Sequence, residues 1–421
     1  MNNLGDMRIC YGSCQMIGAA SVFLSIKDAV VIFNSPRWCA LTAERELTMA
    51  RLRYEERLYC TEVQQDTLVY GVEASLKDTL AEVYAEHKPS FLAVVTSCSM
   101  SLIGDDVKAI CQRYSKTADV AAIDAGGLSG GFASGYVKAQ LELLHHVDFI
   151  LQKKPACVNI LGASAAYPHW QGDIAEIKRL LNLCGIEVNI VFGVNQLGIN
   201  ELNKLGCASL NVVVDSDLGL KTAQWLKDNR DMDYLVASWP YGLQATLEWL
   251  ETISAACKRQ VDLRLIKDEA AMIEKAISEQ IAWIEHNFDD CYISQLVFSM
   301  PKERALSIRQ AVQDSKIDLL HCQDIFIKDT EAAFDSENER RWSDVSELPD
   351  IADDKLRLLL GSDRERLLLG KYAQTLYLDF DMPVARLHNS WSAFVGLRGW
   401  QNFITCVCEQ LITLKCIQSG I

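Results

Sequence analysis

Short β-rich runs alternate with helical patterns over most of the chain, and this alternation restricts the fold more than any other feature of the sequence. Phe91–Thr96 and Ala118–Ile123 are predicted strands. Between them, Asp105 and Asp106 open a predicted helix that runs to Arg113, because carboxylates suit the positive end of a helix dipole. Alternating strands and helices are typical of βα units and a parallel sheet, so the predicted fold class is α/β.

Two further βα series follow. The second series contains a helix near Asp173–Leu183 that ends at Gly185, and its predicted strands are Cys157–Leu161, Glu187–Phe192, Leu210–Val214 and Tyr234–Ala237. An amphipathic helix over residues 268–287 leads to the third series, whose predicted strands are Tyr292–Phe298, Leu356–Leu360 and Gln374–Leu378. The acidic segment 335–355 between them is interpreted as a surface excursion.

Composition restricts the function classes. The 421 residues allow two or three domains, and 49% hydrophobic with 23% charged residues is a globular balance. A net charge of −15 gives nucleic acid or an anionic membrane little to attract, so neither is expected as a partner. No apolar run reaches the roughly 18 residues of a membrane span. Residues 1–33 lack the pattern of a signal peptide, and a cytoplasmic location is expected.

Cysteine usage is the first sign of chemistry. Fifteen cysteines in a cytoplasmic chain do not predict a disulfide framework, because the cytosol keeps thiols reduced. Five of them lie within the first 100 residues: Cys10, Cys14, Cys39, Cys60 and Cys98. Thiolates are the soft ligands that iron–sulfur clusters require, and the ligands can be far apart in sequence. Spacing alone leaves two interpretations open, a cluster and thiols packed as small hydrophobic groups.

Other sites receive less support. The segment Gly126–Gly135 (GGLSGGFASG) can approach a phosphate or a cluster closely, but it matches neither the dinucleotide fingerprint nor a P-loop. Within it, Ser129 completes a G-x-S-x-G pattern that we attribute to chance, because the serine lies several residues beyond the strand that ends at Ile123. No two histidines have the spacing of a helical zinc site.

Three cysteine segments resemble the ligand motifs of component 1 of nitrogenase, in the form that its β chain has. Cys14–Ala19 (CQMIGA) is similar to CQPLGA, and Ser35–Cys39 (SPRWC) falls where the family has its second ligand cysteine. Thr96–Asp106 resembles the third motif, which ends in the same IGDD. The order and the separations of the three motifs match the β-chain pattern.

The resemblance extends over nearly the whole chain and is weakest between 320 and 356. It includes Asp66–Gly71, similar to D-x-x-V-F-G-G, as well as Gly172–Phe192 and Trp391–Trp400. The family comprises the two molybdenum–iron protein chains, their cofactor-assembly scaffold, dark-operative protochlorophyllide reductase and methylthio-alkane reductase. The resemblance implies three Rossmann-like doubly wound domains with mostly parallel sheets, which we assign to residues 1–150, 151–285 and 286–421.

The resemblance also implies a set of ligands. Cys14, Cys39 and Cys98 would bind an iron–sulfur cluster, either an 8Fe–7S P-cluster or a 4Fe–4S cluster, that is shared with cysteines of a partner chain. Tyr70 would lie where an ATP-dependent iron protein docks. The family's serine ligand has its nearest match at Gly127, so whether Ser129 adds a ligand stays open. The same question stays open for Cys10 and Cys60, which we interpret as structural thiols.

The catalytic chain of the family anchors its cofactor with one cysteine and one histidine, and the matching positions here are Asp215 and Val395. Neither residue can bind iron as those ligands do, and no catalytic residue is assigned to this chain. The resemblance therefore implies a β-type subunit of an α₂β₂ oxidoreductase. It would relay electrons from the iron protein to a cofactor in the homologous α-type partner, with methylthio-alkanes or dinitrogen as substrate. The alternatives are a subunit of a cofactor-assembly scaffold and a cluster-free α/β binding protein.

Overall fold

The computed structural model describes most of the chain, namely residues 13–63, 72–113, 119–126, 130–194, 197–288, 292–320, 322, 324–328, 339–342, 348–349, 351, 355–369, 374–381 and 392–419. Four residues that bear on the sequence interpretation lie outside the described residues: Cys10, Tyr70, Gly127 and Ser129. Within the described residues, no helix is long and apolar enough to cross a membrane.

The first βα series forms a four-stranded sheet. Its strands are β1 (Ala29–Asn34), β2 (Leu58–Cys60), β3 (Phe91–Thr96) and β4 (Asp119–Asp124). They lie in the order β2-β1-β3-β4, and neighbours pair in parallel. Its helices are α1 (Gln15–Phe23), α2 (Arg37–Met49), α3 (Glu73–Glu86), α4 (Cys98–Ser101), α5 (Val107–Gln112) and α6 (Phe132–Leu144). Every residue of β1 and β3 is buried, because a parallel sheet is covered on both faces.

The second series forms another four-stranded sheet. Its strands are β5 (Lys154–Leu161), β6 (Glu187–Val191), β7 (Ala208–Val213) and β8 (Tyr234–Val236). Their order is β6-β5-β7-β8, and β7 pairs in parallel with both β5 and β8. The helices of this part of the chain are α7 (Trp170–Leu183), a 3₁₀ segment (Ile199–Cys207), α8 (Ser216–Arg230), α9 (Leu243–Ala256) and α10 (Arg264–Asn287).

The third series forms a five-stranded parallel sheet. Its strands are β9 (Ile293–Phe298), β10 (Asp324–Lys328), β11 (Glu339–Trp342), β12 (Leu356–Gly361) and β13 (Thr375–Asp379). Their order is β11-β10-β9-β12-β13. Its helices are α11 (Lys302–Asp314), a 3₁₀ turn (Asp318–Leu320), α12 (Asp363–Leu369) and α13 (Gly396–Ser419). The predicted α/β class with three Rossmann-like, mostly parallel sheets is confirmed.

The interpretation of 335–355 as a surface excursion is wrong at β11. Trp342 is buried, and its indole Nε1–H donates to the carbonyl of Phe298 at 3.1 Å. The strand pairs with β10 at the edge of the third sheet. Three of its four residues are charged, so local hydrophobicity gives no strand signal there.

The chain divides into two compact units, one of residues 1–166 with 189–236 and the other of 167–188 with 237–421. The first unit contains the first sheet and most of the second, and the second unit contains the third sheet. The domain boundaries at 150 and 285 stay predictions.

Helices α1 and α6 of the first unit touch backbone to backbone. A Cβ atom on Gly135 of α6 would lie 1.9 Å from the carbonyl oxygen of Gln15, and one on Gly18 of α1 would lie 2.0 Å from that of Phe132. Only glycine permits such an approach. Gly18 and Gly135 therefore allow α1 and α6 to pack closely. This packing fixes the N-terminal end of α1, where Cys14 lies.

Candidate functional site

Two predicted ligand cysteines lie beside the point where the strand order of the first sheet reverses, between β1 and β3. The chain proceeds from β1 to β2 on one side and from β3 to β4 on the other, so the carboxyl ends of β1 and β3 border a crevice. Ligands of open α/β sheets bind at such a switch point. Cys39 lies in the first turn of α2, which follows β1, and Cys98 opens α4 directly after β3.

The third cysteine reaches the same edge from α1. Cys14 is the N-cap residue of that helix, and it forms an isolated antiparallel bridge with Gly131, the N-cap residue of α6. From the same loop, Gly126 lies so close to Cys98 that a Cβ atom there would be 3.0 Å from the cysteine Cα. All three cysteines are half-buried. The structure thus brings Cys14, Cys39 and Cys98 to one edge of one sheet.

The thiols influence one another electrostatically. Burial is the main cause that raises the pKa of Cys14, and the charges of Glu46 and Cys98 raise it further, although backbone N–H groups at the start of α1 oppose the change. Burial also raises the pKa of Cys39, with additional contributions from Cys98, Cys14 and Cys60. A bound metal would displace these protons, because a coordinating thiol is deprotonated.

Cys14, Cys39 and Cys98 lie near enough to one another for their charges to interact. Among the residues that the structure describes, no three His, Cys, Asp or Glu side chains form a group that could hold a single metal ion. Iron–sulfur clusters are polynuclear and spread their thiolate ligands over several irons.

Cys60 has its own local partners. Its sulfur lies 3.4 Å from the carbonyl oxygen of Ser35 and 3.5 Å from the hydroxyl of that serine, and it accepts the N–H of Glu62 at 3.3 Å. These contacts connect the end of β2 to the residue that follows β1. The interpretation of Cys60 as a structural thiol remains a prediction.

The structure adds a polar pair to the site that no motif indicates. The hydroxyl of Ser13, next to Cys14, donates to Oε2 of Glu46 at 2.5 Å. Glu46 is buried and lies two turns after Cys39 on α2. The seven-residue spacing from Cys39 to Glu46 is the signal that places both on one helix face.

Two large apolar side chains near the cysteines in sequence are exposed. Trp38, the neighbour of Cys39, is 80% exposed, and Leu102, four residues after Cys98, is 78% exposed.

The two positions where a catalytic chain would anchor its cofactor have structural roles here. Asp215 is the N-cap residue of α8, and its carboxylate accepts the N–H of Leu218 at 3.2 Å. Gly162, with φ +93°, leaves so little room beside it that a Cβ would be 2.6 Å from the Asp215 carbonyl oxygen. Val395 is fully buried and donates its N–H to Oδ1 of Asp173 at 3.2 Å.

Asp173 makes stability depend on pH. Burial raises the pKa of this carboxyl to about 6, against the hydrogen bonds from Phe394 and Val395 and the charge of Arg304. Between pH 4 and 6 the unfolded chain therefore loses this proton before the folded one, and stability falls as the pH rises. The shift from 3.8 to about 6 corresponds to roughly 3 kcal/mol, and we expect Asp173→Asn to remove most of this fall. Urea unfolding at pH 4, 5, 6 and 7 measures it; parallel curves for the two proteins would contradict it.

Comparison with known proteins agrees with this geometry. Residues 14–412 match the family described as nitrogenase component 1 type oxidoreductase. The chain is similar to the nitrogenase iron–molybdenum cofactor biosynthesis protein NifE of Sinorhizobium fredii, with 28% identity over 287 residues, or 65% of this chain and 55% of that protein. It is 22% identical to the nitrogenase molybdenum–iron protein beta chain of Bradyrhizobium diazoefficiens over 65% of this chain and 57% of that protein.

A third relative is one of the subunits of the light-independent protochlorophyllide reductase of Prosthecochloris aestuarii, 24% identical over 58% of this chain and 46% of that protein. The chain spans about half the length of these curated relatives. A solved structure of nitrogenase Cp1 at pH 6.5 superposes with a TM-score of 0.78 at 13% identity, covering 96% of this chain and 93% of that one, which shows the fold. Because the family match covers nearly the whole sequence, the chain belongs to the nitrogenase component 1 family of oxidoreductases.

Proposed function

We propose that this chain is the β-type subunit of a nitrogenase-like reductase, which does not carry the catalytic cofactor. Its task is to hold an iron–sulfur cluster with Cys14, Cys39 and Cys98 at the interface with a homologous α-type chain. The observation that carries the proposal is the position of the three thiols at the switch point of the first sheet. When bound, the cluster would supply one-electron transfer between an ATP-dependent iron protein and the partner's cofactor.

The chain's own residues prepare the site. The thiols are only partly buried, so cysteines of a partner could complete the ligand set. Backbone N–H groups at the start of α1 lie near Cys14 and favour its charged form. Gly126 approaches Cys98 so closely that a Cβ atom on Gly126 would lie 3.0 Å from the cysteine Cα. These features support either a P-cluster or a 4Fe–4S cluster.

The absence of cofactor ligands at two positions supports the β-type assignment. Asp215 caps a helix and Val395 is an apolar core residue, so neither position offers the thiolate or the imidazole with which the family's catalytic chain anchors its cofactor. The proposed site of substrate reduction is therefore in the partner. Methylthio-alkanes and dinitrogen are the proposed substrates, and the docking of the iron protein near Tyr70 is part of the same proposal.

The exposed tryptophan beside Cys39 predicts how the partner binds. Trp38 loses most of its exposed surface if a partner covers the thiols, and buried tryptophans carry much of the binding energy of interfaces. We expect Trp38→Ala to weaken the complex by about 2 kcal/mol, roughly thirtyfold in Kd. Sedimentation of the mixed chains measures this. Leu265→Ala, at an equally exposed leucine of α10, is the control, and equal effects of the two changes would contradict the proposed interface.

A subunit of a cofactor-assembly scaffold is the second candidate, because the similarity to NifE is 28% over 65% of this chain. Substrate reduction distinguishes a reductase from a scaffold. The complex with its iron protein and ATP is supplied with methylthio-alkanes, dinitrogen or protons as substrates. A reductase gives product that depends on ATP, whereas a scaffold gives none and transfers a metal cofactor to an apo-enzyme. Absence of product from all substrates, together with such transfer, would overturn the reductase assignment.

A further inference from the structure

β4 supplies no cysteine, yet its last residue contacts the segments that surround the thiols. The carboxylate Oδ1 of Asp124 accepts the N–H of Gly126 at 3.0 Å. The same oxygen accepts a short hydrogen bond from the hydroxyl of Ser101. One carboxylate oxygen therefore joins the glycine loop to the helix that Cys98 opens.

These two bonds hold both sides of Cys98. Ser101 is the last residue of α4, and its hydroxyl oxygen also lies 3.0 Å from the carbonyl oxygen of Ser97. On the other side, the backbone of Gly126 presses against the Cys98 Cα. Helix α4 has only four residues and no side-chain hydrogen bond at its N-cap, so little within the helix itself fixes the direction of the cysteine.

The backbone of Asp124 extends the connection to Cys14. The ammonium of Lys138, on α6, donates to the Asp124 carbonyl at 3.1 Å and to Oε1 of Gln15 at 2.9 Å. Gln15 directly follows Cys14 and is fully buried. The end of β4 is thus linked through hydrogen bonds to the segments of two of the three cysteines.

We infer that Asp124 is a positioning residue that fixes Cys98 and the glycine loop around the cluster. The inference rests on the proposed function, since it assigns Asp124 to the support of that same site. Partners that hold ligands in place determine metal affinity and the properties of the bound group, even when they do not touch the metal. Asp124 Oδ1 accepts both of these side-chain hydrogen bonds. An amide oxygen could accept the same two bonds, so Asp124 would act through this oxygen rather than through its charge.

The test compares Asp124→Ala, Asp124→Asn and Asp119→Ala in the complex with its partner. Asp119 begins the same strand at its opposite end and is exposed, so it is the matched control. We expect Asp124→Ala to lose more than half of the iron, or to change the EPR spectrum and midpoint potential of the remainder, with circular dichroism unchanged. Asp124→Asn keeps the acceptor oxygen and should therefore retain the iron content and the EPR spectrum of the wild type. Asp119→Ala should also resemble the wild type.

Two results would overturn the inference: wild-type iron content and spectrum in Asp124→Ala, or equal damage in the alanine and asparagine variants. If Asp124→Ala does not fold, Ser101→Ala removes one of the two bonds and should shift the spectrum in part, so an unchanged spectrum there would overturn it as well. A wild-type complex without iron would instead refute the proposed function, which keeps the two failures distinct.

Discussion

Replacement of Cys14, Cys39 or Cys98 by alanine is expected to remove most of the cluster iron from the co-purified complex. Each change deletes one proposed thiolate ligand. The three cysteines are held by different elements, α1, α2 and α4, so the two that remain cannot move into the position of the missing one. Loss of a ligand weakens metal binding far more than it alters the fold. Electron transfer from the iron protein should fall at least a hundredfold. Iron analysis, EPR and reductase activity measure the effect.

Cys257→Ala is the control for these changes. Cys257 is a half-buried thiol, as the three proposed ligands are, and it follows α9 in the other compact unit. It should keep the iron, the EPR spectrum and the activity of the wild type. Cys60→Ala is informative too, and the interpretation of Cys60 as a structural thiol predicts unchanged iron content. If the three ligand variants retained full iron and an unchanged spectrum, the site assignment would fail.

The second large effect is expected at the contact between α1 and α6. Alanine in a helix interior is favoured over glycine by about 1 kcal/mol, so Gly135→Ala would stabilise an isolated helix. In the folded chain its Cβ would lie 1.9 Å from the Gln15 carbonyl oxygen, and the helices must separate. Overpacking of this kind costs about 3 kcal/mol or more, which outweighs the helix propensity. The urea midpoint of unfolding should therefore fall.

Gly131→Ala tests whether the cause is the close contact. Gly131 precedes α6, and a Cβ there would meet nothing nearer than 3.7 Å. This change should cost at most about 1 kcal/mol, the usual penalty for alanine at an N-cap. Equal destabilisation by the two changes would show that the backbone contact between α1 and α6 is not the cause. Because α1 begins after Cys14, Gly135→Ala should also lower the iron content.

Apolar runs make much of the fold predictable. β3 has the bounds that the sequence predicts, because a parallel strand covered on both faces is continuously apolar. The same signal is present in β1, whose sequence AVVIFN is wholly buried, and this strand could have been found from it. β11 could not. Its single buried apolar side chain, Trp342, packs with residues such as Phe326 and Leu359 that lie elsewhere in the sequence.

The candidate site also contains some residues that can be predicted from sequence and others that cannot. The candidate cysteines can be proposed from sequence because the motifs that contain them are local and occur in a recognisable order. Their supporting residues cannot, since the contacts of Asp124 with Ser101 and of Ser13 with Glu46 join residues 23 and 33 positions apart. Serine, aspartate and glutamate are common surface residues, and only the folded chain shows that these bonds surround the thiols.

The most direct test of cluster binding is iron and acid-labile sulfide analysis, with low-temperature EPR, of the wild-type chain purified anaerobically with its homologous partner. We predict that the complex contains both iron and sulfide. We also predict a paramagnetic signal from the bound cluster that is absent when Cys14, Cys39 and Cys98 are replaced together. A folded complex that is colourless and free of iron would contradict both predictions and would favour a cluster-free α/β binding protein.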